Sequence, residues 1–420
     1  MAFNTFDHRQ KENSGATDMI PPAEAWQRIE EHLKTLPTES VPRAEAVGRV
    51  LAEPLLATVD VPGLDVSAMD GFAVAGELNS GQILPVTATI AAGDPPGARL
   101  EPGSVVSIMT GAPTPAGTDR VLPVEQTVLR GDSEIEILSG VPVDAHIRHQ
   151  GEVLRRGTDL LSPPAPLTPA ALSLLATHGY DSIVVHRRPQ VAVLATGDEV
   201  IPPDVDPQPG QLRDSNTDFL LAAGRSLGLS FISLGIAPDH PDALRTRIEQ
   251  GLESDVLLIG GGVSMGEFDF VEDILAELRC EVLVDAVATQ PGKPLVVARH
   301  PNGFVFGLPG NPASVMVGFW LFVRPVLRRL QGIPDAFWSG SLRGELAGPL
   351  PGAKARDRFL SAEVRFQSNR VLVTPRLAKG SHDLAAFARG SALVRIAARA
   401  QPASPGDPCE ILPFVDWQNW

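Results

Sequence analysis

Residues 230–262 read SFISLGIAPDHPDALRTRIEQGLESDVLLIGGG. SFISLGI and DVLLIG are apolar runs of strand length, and Pro241 to Leu252 between them reads as a helix. A strand, a helix and a second strand in succession form a crossover unit, with both strands parallel in one sheet. The same alternation extends both ways. Upstream, strand VAVLAT from Val191 precedes a loop and a helix near Asp218 to Leu227. Downstream, a glycine loop leads to a helix from Phe270 to Leu278. A later strand, GFVFGL, feeds a long apolar helix from Pro312 to Leu330. A parallel sheet covered on both faces is therefore expected from Val191 to Gly332, inside an α/β domain assigned to residues 188–337.

The flanking sequence follows other rules. Residues 1–18 are polar and are expected to form a loose tail. Pro22 to Leu36 reads as an amphipathic helix, with Ala25, Ile29, Leu33 and Leu36 at helical spacing. A second short helix is expected over Arg43 to Ala52. From about Val59 to Leu138, short apolar runs are cut by Pro and Gly, as in a small all-β domain. Thr168-Pro169 then opens a helix to about His178, with Thr as N-cap and Pro at the first position. Short strands such as RFLSAEVRF and RVLVTPR return after Phe337. The expected organisation is a helical linker from residues 19–55 and 152–187, a β-rich domain over 56–151, the α/β domain, and a C-terminal β domain over 338–420.

Composition narrows the function classes. The 420 residues carry a net charge of −15, which disfavours a nonspecific nucleic-acid binder. A small anion remains compatible, because backbone N–H groups and helix N-termini can hold one. The two cysteines, Cys280 and Cys409, form no Cys-x-x-Cys pair, so neither a disulfide framework nor a cysteine zinc site is expected. The N-terminus has no apolar signal core, and the most apolar stretch, Ser314 to Leu327, is interrupted by Arg324. A cytoplasmic protein without a membrane span is expected.

In open α/β sheets ligands bind beyond the carboxyl ends of the strands. Three candidate loops lie there: Thr196-Gly197-Asp198-Glu199, Gly260 to Gly266 (GGGVSMG, with Glu267 and Asp269 just beyond), and Gly307 to Pro312 (GLPGNP). Glycine lets the backbone approach a ligand closely, and Asn311-Pro312 is expected to start a helix with outward N–H groups. One such loop is as readily a tight turn; three on one edge argue for an anionic, phosphate-bearing ligand. No standard nucleotide-binding fingerprint, His-Glu-x-x-His pair or Gly-x-Ser-x-Gly elbow is present. Lys293, between Pro291 and Pro294, reads either as a fixed cation or as a solvated turn lysine. Asp70 and Thr110, in SAMDGFA and IMTGAP, read by local chemistry as turn residues. The loop acids Asp198, Glu199, Asp239, Glu267 and Asp269 suit Mg²⁺, which takes one or two carboxylates, or alternatively helix capping.

Taken in order, SAMDGFAV, IMTGAP, ATGDEV, RDSN, GGGVSMGEFD, PGKP, GLPGNPAS and KGSHDL resemble the molybdopterin molybdenumtransferase family, related to the gephyrin E domain. The resemblance runs from about Ala23 to Leu412. It implies a central domain similar to the molybdopterin adenylyltransferases. It also implies an activity: molybdate replaces the adenylate of adenylated molybdopterin, releasing AMP and molybdenum cofactor with Mg²⁺ assistance. It further implies a homodimer with a shared cleft, and a molybdopterin adenylyltransferase and apo-molybdoenzymes as partners.

Carried over motif by motif, the resemblance makes Asp70, Thr110, Glu199, Asp239 and Asp269 catalytic. Asp239 and Asp269 become the metal ligands. Thr196, Gly197, Gly261, Gly262, Ser264, Gly266, Lys293, Pro309, Gly310, Asn311, Pro312 and Ser381 become substrate-binding. The chain departs from the family pattern at Val153, where an aspartate is usual, at Gln290, where a lysine is common, and at Phe72 and Val66. Two other readings stand beside the enzyme: a molybdopterin adenylyltransferase, against which SAMDG and MTGAP argue, and a noncatalytic pterin carrier, which Val153 and Gln290 would suit.

Overall fold

The computed structural model describes residues 19–262 and 270–414. The chain divides into two compact units. One draws on residues 1–52, 164–172 and 182–420, the other on 53–163 and 173–181.

At the centre of the larger unit is a six-stranded sheet. Its order is Phe231–Ala237, Val191–Thr196, Val256–Gly260, Gly303–Leu308, Val296–His300 and Glu281–Val284. The first four strands are parallel, as expected. The last two form an antiparallel extension that the sequence reading did not anticipate. Every residue of Val191–Thr196 is buried, because both faces of the sheet are covered. Strand alternation sends Val191, Val193, Val256, Leu258, Phe304 and Phe306 to one face, where they pack with Ala25, Trp26, Ile29 and Leu220 of two helices. Ala192, Leu194, Leu257, Ile259 and Val305 point the other way, onto Leu244, Ile248, Ile274 and Leu275. Each fully buried Leu, Ile or Phe contributes about 1.5–3 kcal/mol.

The covering helices are Asn216–Ser226, Pro241–Gly251 and Val271–Glu277, close to their expected bounds. The apolar helix from Pro312 is interrupted. Pro312–Gly318 and Arg324–Leu330 are α-helical, and Phe319–Val323 between them is a wider π turn. Pro325 explains the interruption: it has no N–H for the carbonyl four residues back, and its ring crowds that carbonyl. Two further expectations change. The first amphipathic helix spans only Pro22–Glu30. Beyond it, His32 and Leu33 make three-residue bonds to Ile29 and Glu30, and the Leu36 N–H is taken by Leu330 O. Arg43 to Ala52 is not an α-helix. A 3₁₀ turn covers Arg43–Glu45, Gly48 adopts a φ of +72°, and Val50–Leu51 is a strand. That strand joins a four-stranded sheet with Thr38–Pro42, Ser182–His186 and Ala165–Pro166. The Thr168 cap is observed, with Ala171 N donating to Thr168 Oγ1 at 3.1 Å, and the helix runs Pro169–Thr177.

Residues after Phe337 form a small closed barrel. Asp357–Gln367 pairs with both Arg370–Arg376 and Ala392–Ile396, and Leu342–Leu346 and Pro408–Pro413 complete the ring. Its interior holds Leu360, Ala362, Val373, Val394 and Ile411. Thr289–Gln290 adds to the barrel beside Asp357–Arg358, which carries the proline-rich Gln290–Pro294 loop to the barrel wall.

The smaller unit is β-rich, as expected. Its six-stranded sheet runs Arg120–Pro123, Gly71–Val74, Val105–Ile108, Ile83–Ile90, Glu134–Ile137 and Thr127–Arg130. Gly71 is required: a Cβ there would lie 2.2 Å from Leu122 O. Beside this sheet, Val66–Ser67 pairs with Ile147–Arg148 as a short antiparallel ribbon. Among the described residues no helix is long and apolar enough to cross a membrane.

Candidate active site

Within the larger unit, the carboxyl ends of the parallel strands open on a cleft of about 1060 Å³. Thr196, Gly197 and Glu199 enter it from the loop after the Val191–Thr196 strand, and Asp239 from the loop after Phe231–Ala237. Gly261 and Gly262 follow Val256–Gly260. Pro309, Gly310, Asn311 and Pro312 follow Gly303–Leu308. Lys293 and Ser381 complete the set expected from sequence in this unit. Ser264, Gly266 and Asp269 lie outside the described residues.

The glycines are dictated by close backbone packing. Gly261 has a φ of +103°, and a Cβ there would stand 2.8 Å from Thr196 O and 2.9 Å from Thr196 Oγ1. Gly262, at φ +63°, would press a Cβ to 2.9 Å from Val271 Cγ2. The Gly261 N–H donates to Leu308 O at 2.9 Å, which binds this loop to the next one. Thr196 Oγ1 is buried under both glycines with no hydrogen-bond partner among the described residues.

The helix start at Asn311-Pro312 differs from expectation. Pro312 has no N–H. The Ala313 N–H goes to Ser381 O at 3.1 Å, and those of Ser314 and Val315 go to Asn311 O. These N–H groups are therefore spent inside the protein. The Ala313 bond instead fixes the Lys379–His382 turn of the barrel against the α/β domain. Opposite, Asn216 Nδ2 donates to Gly310 O at 2.8 Å, and Asp214 Oδ1 accepts the N–H groups of Asn216 and Thr217.

Charges of both signs line the cleft. Glu199 and Asp239 bring carboxylates. Burial first, and then the neighbouring charges of Asp198 and Glu199, push the Asp239 carboxyl above its ordinary range. Lys293, Arg356, Arg358 and Lys379 bring cations, so a chain of net charge −15 presents a cationic surface here. Arg356 Nη1 donates to Thr289 O at 3.3 Å. The sequence reading missed Arg356 and Arg358, along with Asp214, Asn216 and His382. RDSN and KGSH flagged the last three as motifs; the two arginines carry no local signature. Gln290 also lines the cleft, whereas Val153 is exposed in the smaller unit. Among the described residues, no group of three or more His, Cys, Asp or Glu side chains converges as a metal cage.

In the smaller unit, Asp70 and Thr110 meet directly. Thr110 donates its backbone N–H and its hydroxyl to Asp70 Oδ1, at 2.7 and 2.8 Å. The N–H first, and then the hydroxyl, hold the Asp70 carboxyl below its ordinary range. These two exposed groups form a pair, not two independent turn residues.

Comparison with known proteins agrees with this architecture. Residues 20–179 match the MoeA N-terminal region (domain I and II), residues 192–329 a probable molybdopterin binding domain, and residues 343–414 the MoeA C-terminal region (domain IV). A molybdopterin molybdenumtransferase from Nostoc sp. is 40% identical over 306 residues, covering 70% of each chain. One from Staphylococcus aureus is 31% identical over 403 residues, covering 94% of this chain and 95% of the relative. A crystal structure of a molybdopterin biosynthesis MoeA protein from Pyrococcus horikoshii superposes with a TM-score of 0.79 at 30% identity, over 95% of this chain and all of the other. A second from that organism, at 24% identity, has a TM-score of 0.80 and shows the shared fold. By sequence along 94% of its length and by fold, the chain belongs to the molybdopterin molybdenumtransferase family.

Proposed function

We propose that this enzyme inserts molybdenum from molybdate into adenylated molybdopterin, releasing AMP and molybdenum cofactor. The observation that carries this reading is a cleft lined by both cations and carboxylates. A pterin nucleotide carries several phosphate charges, and Lys293, Arg356, Arg358 and Lys379 offer cations for them. Glu199 and Asp239, across the glycine loops, offer carboxylates to a divalent cation. Mg²⁺ fits that donor set, because it takes one or two carboxylates and keeps water on its other positions. Asp239, together with Asp269, would hold it, and it would supply charge neutralisation at the phosphoanhydride.

The protein's own groups do the rest. Gly261 and Gly262 keep the loop backbone bare, so a ligand can lie against main-chain groups. The elevated pKa of Asp239 means that a cation is welcome: three carboxylates in one corner are relieved by positive charge. Ser381, on a turn tied to Ala313, brings a hydroxyl from the barrel side. We further place Asp70 and Thr110 at the molybdate or pterin side of the bound ligand, within a homodimer whose two subunits share each cleft. The cytoplasm is the setting in which the product would pass to apo-molybdoenzymes, and a molybdopterin adenylyltransferase would supply the substrate.

One observation favours a second reading, a pterin carrier without turnover: Gln290 lines the cleft at the family's lysine position. Incubating pure protein with adenylated molybdopterin, molybdate and Mg²⁺ decides between them. The enzyme releases AMP in a molybdate-dependent manner; a carrier binds the nucleotide and leaves it intact.

A further inference from the structure

The smaller unit contains a histidine held at both ring nitrogens. His149 Nδ1 lies 3.2 Å from Asp65 Oδ2, and His149 Nε2 lies 2.9 Å from Asp144 Oδ1. A neutral imidazole has one N–H and one lone pair, whereas a carboxylate only accepts. Both contacts are hydrogen bonds only when the ring is an imidazolium. The surroundings hold the ring in place. Asp65 Oδ1 accepts the Gln150 N–H at 2.7 Å, and Glu152 Oε2 accepts the His149 N–H at 2.9 Å. Asp144 sits in a tight turn at a φ of +72°, a conformation seldom adopted by residues other than glycine.

The position of this tie matters more than its strength. Ile147 pairs with Ser67 and Arg148 with Val66, so His149 and Asp65 are the next pair at the end of the same ribbon. The ribbon leads straight into Asp70. Ala68 N donates to His146 O at 2.9 Å. Ser67 N donates to Ala112 O, and Gly111 N to Ser67 O, so the ribbon also grips the turn that carries Thr110. Both halves of the Asp70–Thr110 pair are thus tied to the ribbon that His149 closes: Asp70 three residues beyond Ser67, and the Thr110 turn by its bonds to Ser67.

We propose that His149, as an imidazolium bridging Asp65 and Asp144, is a positioning residue that sets the Asp70–Thr110 pair, and that losing its proton loosens the pair and slows the reaction. The titratable groups facing the ring are Asp65 from the ribbon and Asp144 from the turn. Both are acids; Glu152 binds the His149 backbone N–H instead. The hydrogen bond that the ring donates to Asp65 first, and then the Asp144 charge, raise the His149 pKa above its ordinary value. For a raised histidine the tie is complete below the ordinary value and is lost as pH rises through the folded one. The link to turnover rests on the placement of Asp70 and Thr110 in the site; the tie itself does not.

The test therefore has two readouts on the full-length protein. The first is the pH dependence of amide exchange at Ala68 and Gly111, beside an NMR titration of the His149 ring. The second is kcat for AMP release across the same pH range, in wild type, His149→Gln and His149→Arg. We expect wild-type protection at both amides to fall, beyond the intrinsic base-catalysed rise, at the pH where His149 titrates. In His149→Gln it should be low throughout. His149→Arg, which keeps a permanent charge and several donors, should stay protected at alkaline pH. The kcat of His149→Gln should be roughly 10- to 100-fold lower below the His149 pKa, as expected for a misplaced catalytic group, with KM little changed. Protection in wild type that ignores the His149 titration overturns the proposal. Protection that follows the titration while kcat does not overturns the link to turnover. An Asp70→Asn control with full activity would assign that second failure to the placement of Asp70 rather than to the tie.

Discussion

Thr110 gives both its backbone N–H and its hydroxyl to one oxygen of Asp70, at 2.7 and 2.8 Å. Among the described residues the second oxygen of that carboxylate accepts no hydrogen bond. Two donors on one oxygen stabilise the ionised form, so Asp70 stays charged to lower pH than an ordinary aspartate. The pair thus presents an anion beside a hydroxyl, from two turns that adjoin the Gly71–Val74 and Val105–Ile108 strands.

Thr110→Val removes the hydroxyl and keeps the N–H. Asp70 should then titrate closer to its ordinary value, because only the larger of the two donors remains. The acid limb of the activity profile should move to higher pH with it. The sign follows from linkage: a depressed carboxyl contributes stability above its unfolded pKa, and that contribution is lost as pH falls through the folded one. NMR titration of Asp70 in both proteins checks this; an unchanged pKa would mean that the hydroxyl does not bind the carboxylate in solution.

Gly261→Val forces a Cβ to within 2.8 Å of Thr196 O at a φ of +103°. Strain of about 1–3 kcal/mol is expected at such a backbone. The loop should shift out of the cleft, and affinity for adenylated molybdopterin should fall by at least about tenfold, the equivalent of 1.4 kcal/mol. Far-UV circular dichroism should stay near wild type. Equal binding by the variant would remove this loop from the site.

A shared site predicts complementation. Asp70→Ala and Asp269→Ala protein should each be inactive, and mixing them under subunit exchange should restore part of the activity. Absence of recovery, with exchange shown by mass, would mean that both residues serve one and the same subunit.

Much of this was legible in the sequence, for physical reasons. Strands buried on both faces read as continuous apolar runs, which is why Val191–Thr196, Val256–Gly260 and Gly303–Leu308 stood out. The glycine loops were legible because three of them follow strands on one edge of one sheet, where a single one would read as readily as a tight turn. Closure of the barrel was not, since Ala392–Ile396 meets Asp357–Gln367 through long-range pairing that no local pattern encodes. The antiparallel extension was not legible either, because Val296–His300 and Glu281–Val284 take their direction from a ladder with Gly303–Leu308 and with each other that no local pattern encodes. Arg356 and Arg358 flank Asp357, which is buried against Arg395, so only the strand's placement turns them toward the cleft. The Asn311-Pro312 start was read correctly as a helix start, but the destination of its N–H groups depends on Ser381, some seventy residues on along the sequence.

Asp239→Asn separates stability from chemistry. Burial and like charges raise the Asp239 pKa, so its charged form is disfavoured in the fold. A raised carboxyl favours the folded state below its unfolded pKa and loses that advantage as pH rises through the folded one. At neutral pH the neutral amide should therefore melt at the same temperature or higher. Its AMP release should nevertheless be strongly reduced and demand more Mg²⁺. A variant that melts earlier yet turns over normally would make Asp239 structural.

The most direct measurement is AMP release by the purified wild-type protein from adenylated molybdopterin, with molybdate and Mg²⁺ each supplied or withheld, beside equilibrium binding of the same nucleotide. Tight binding is expected in every case, and AMP release, with molybdenum retained on the pterin, only when molybdate and Mg²⁺ are both present. Tight binding with no AMP release under any condition would contradict that expectation and leave the cleft as the seat of a carrier.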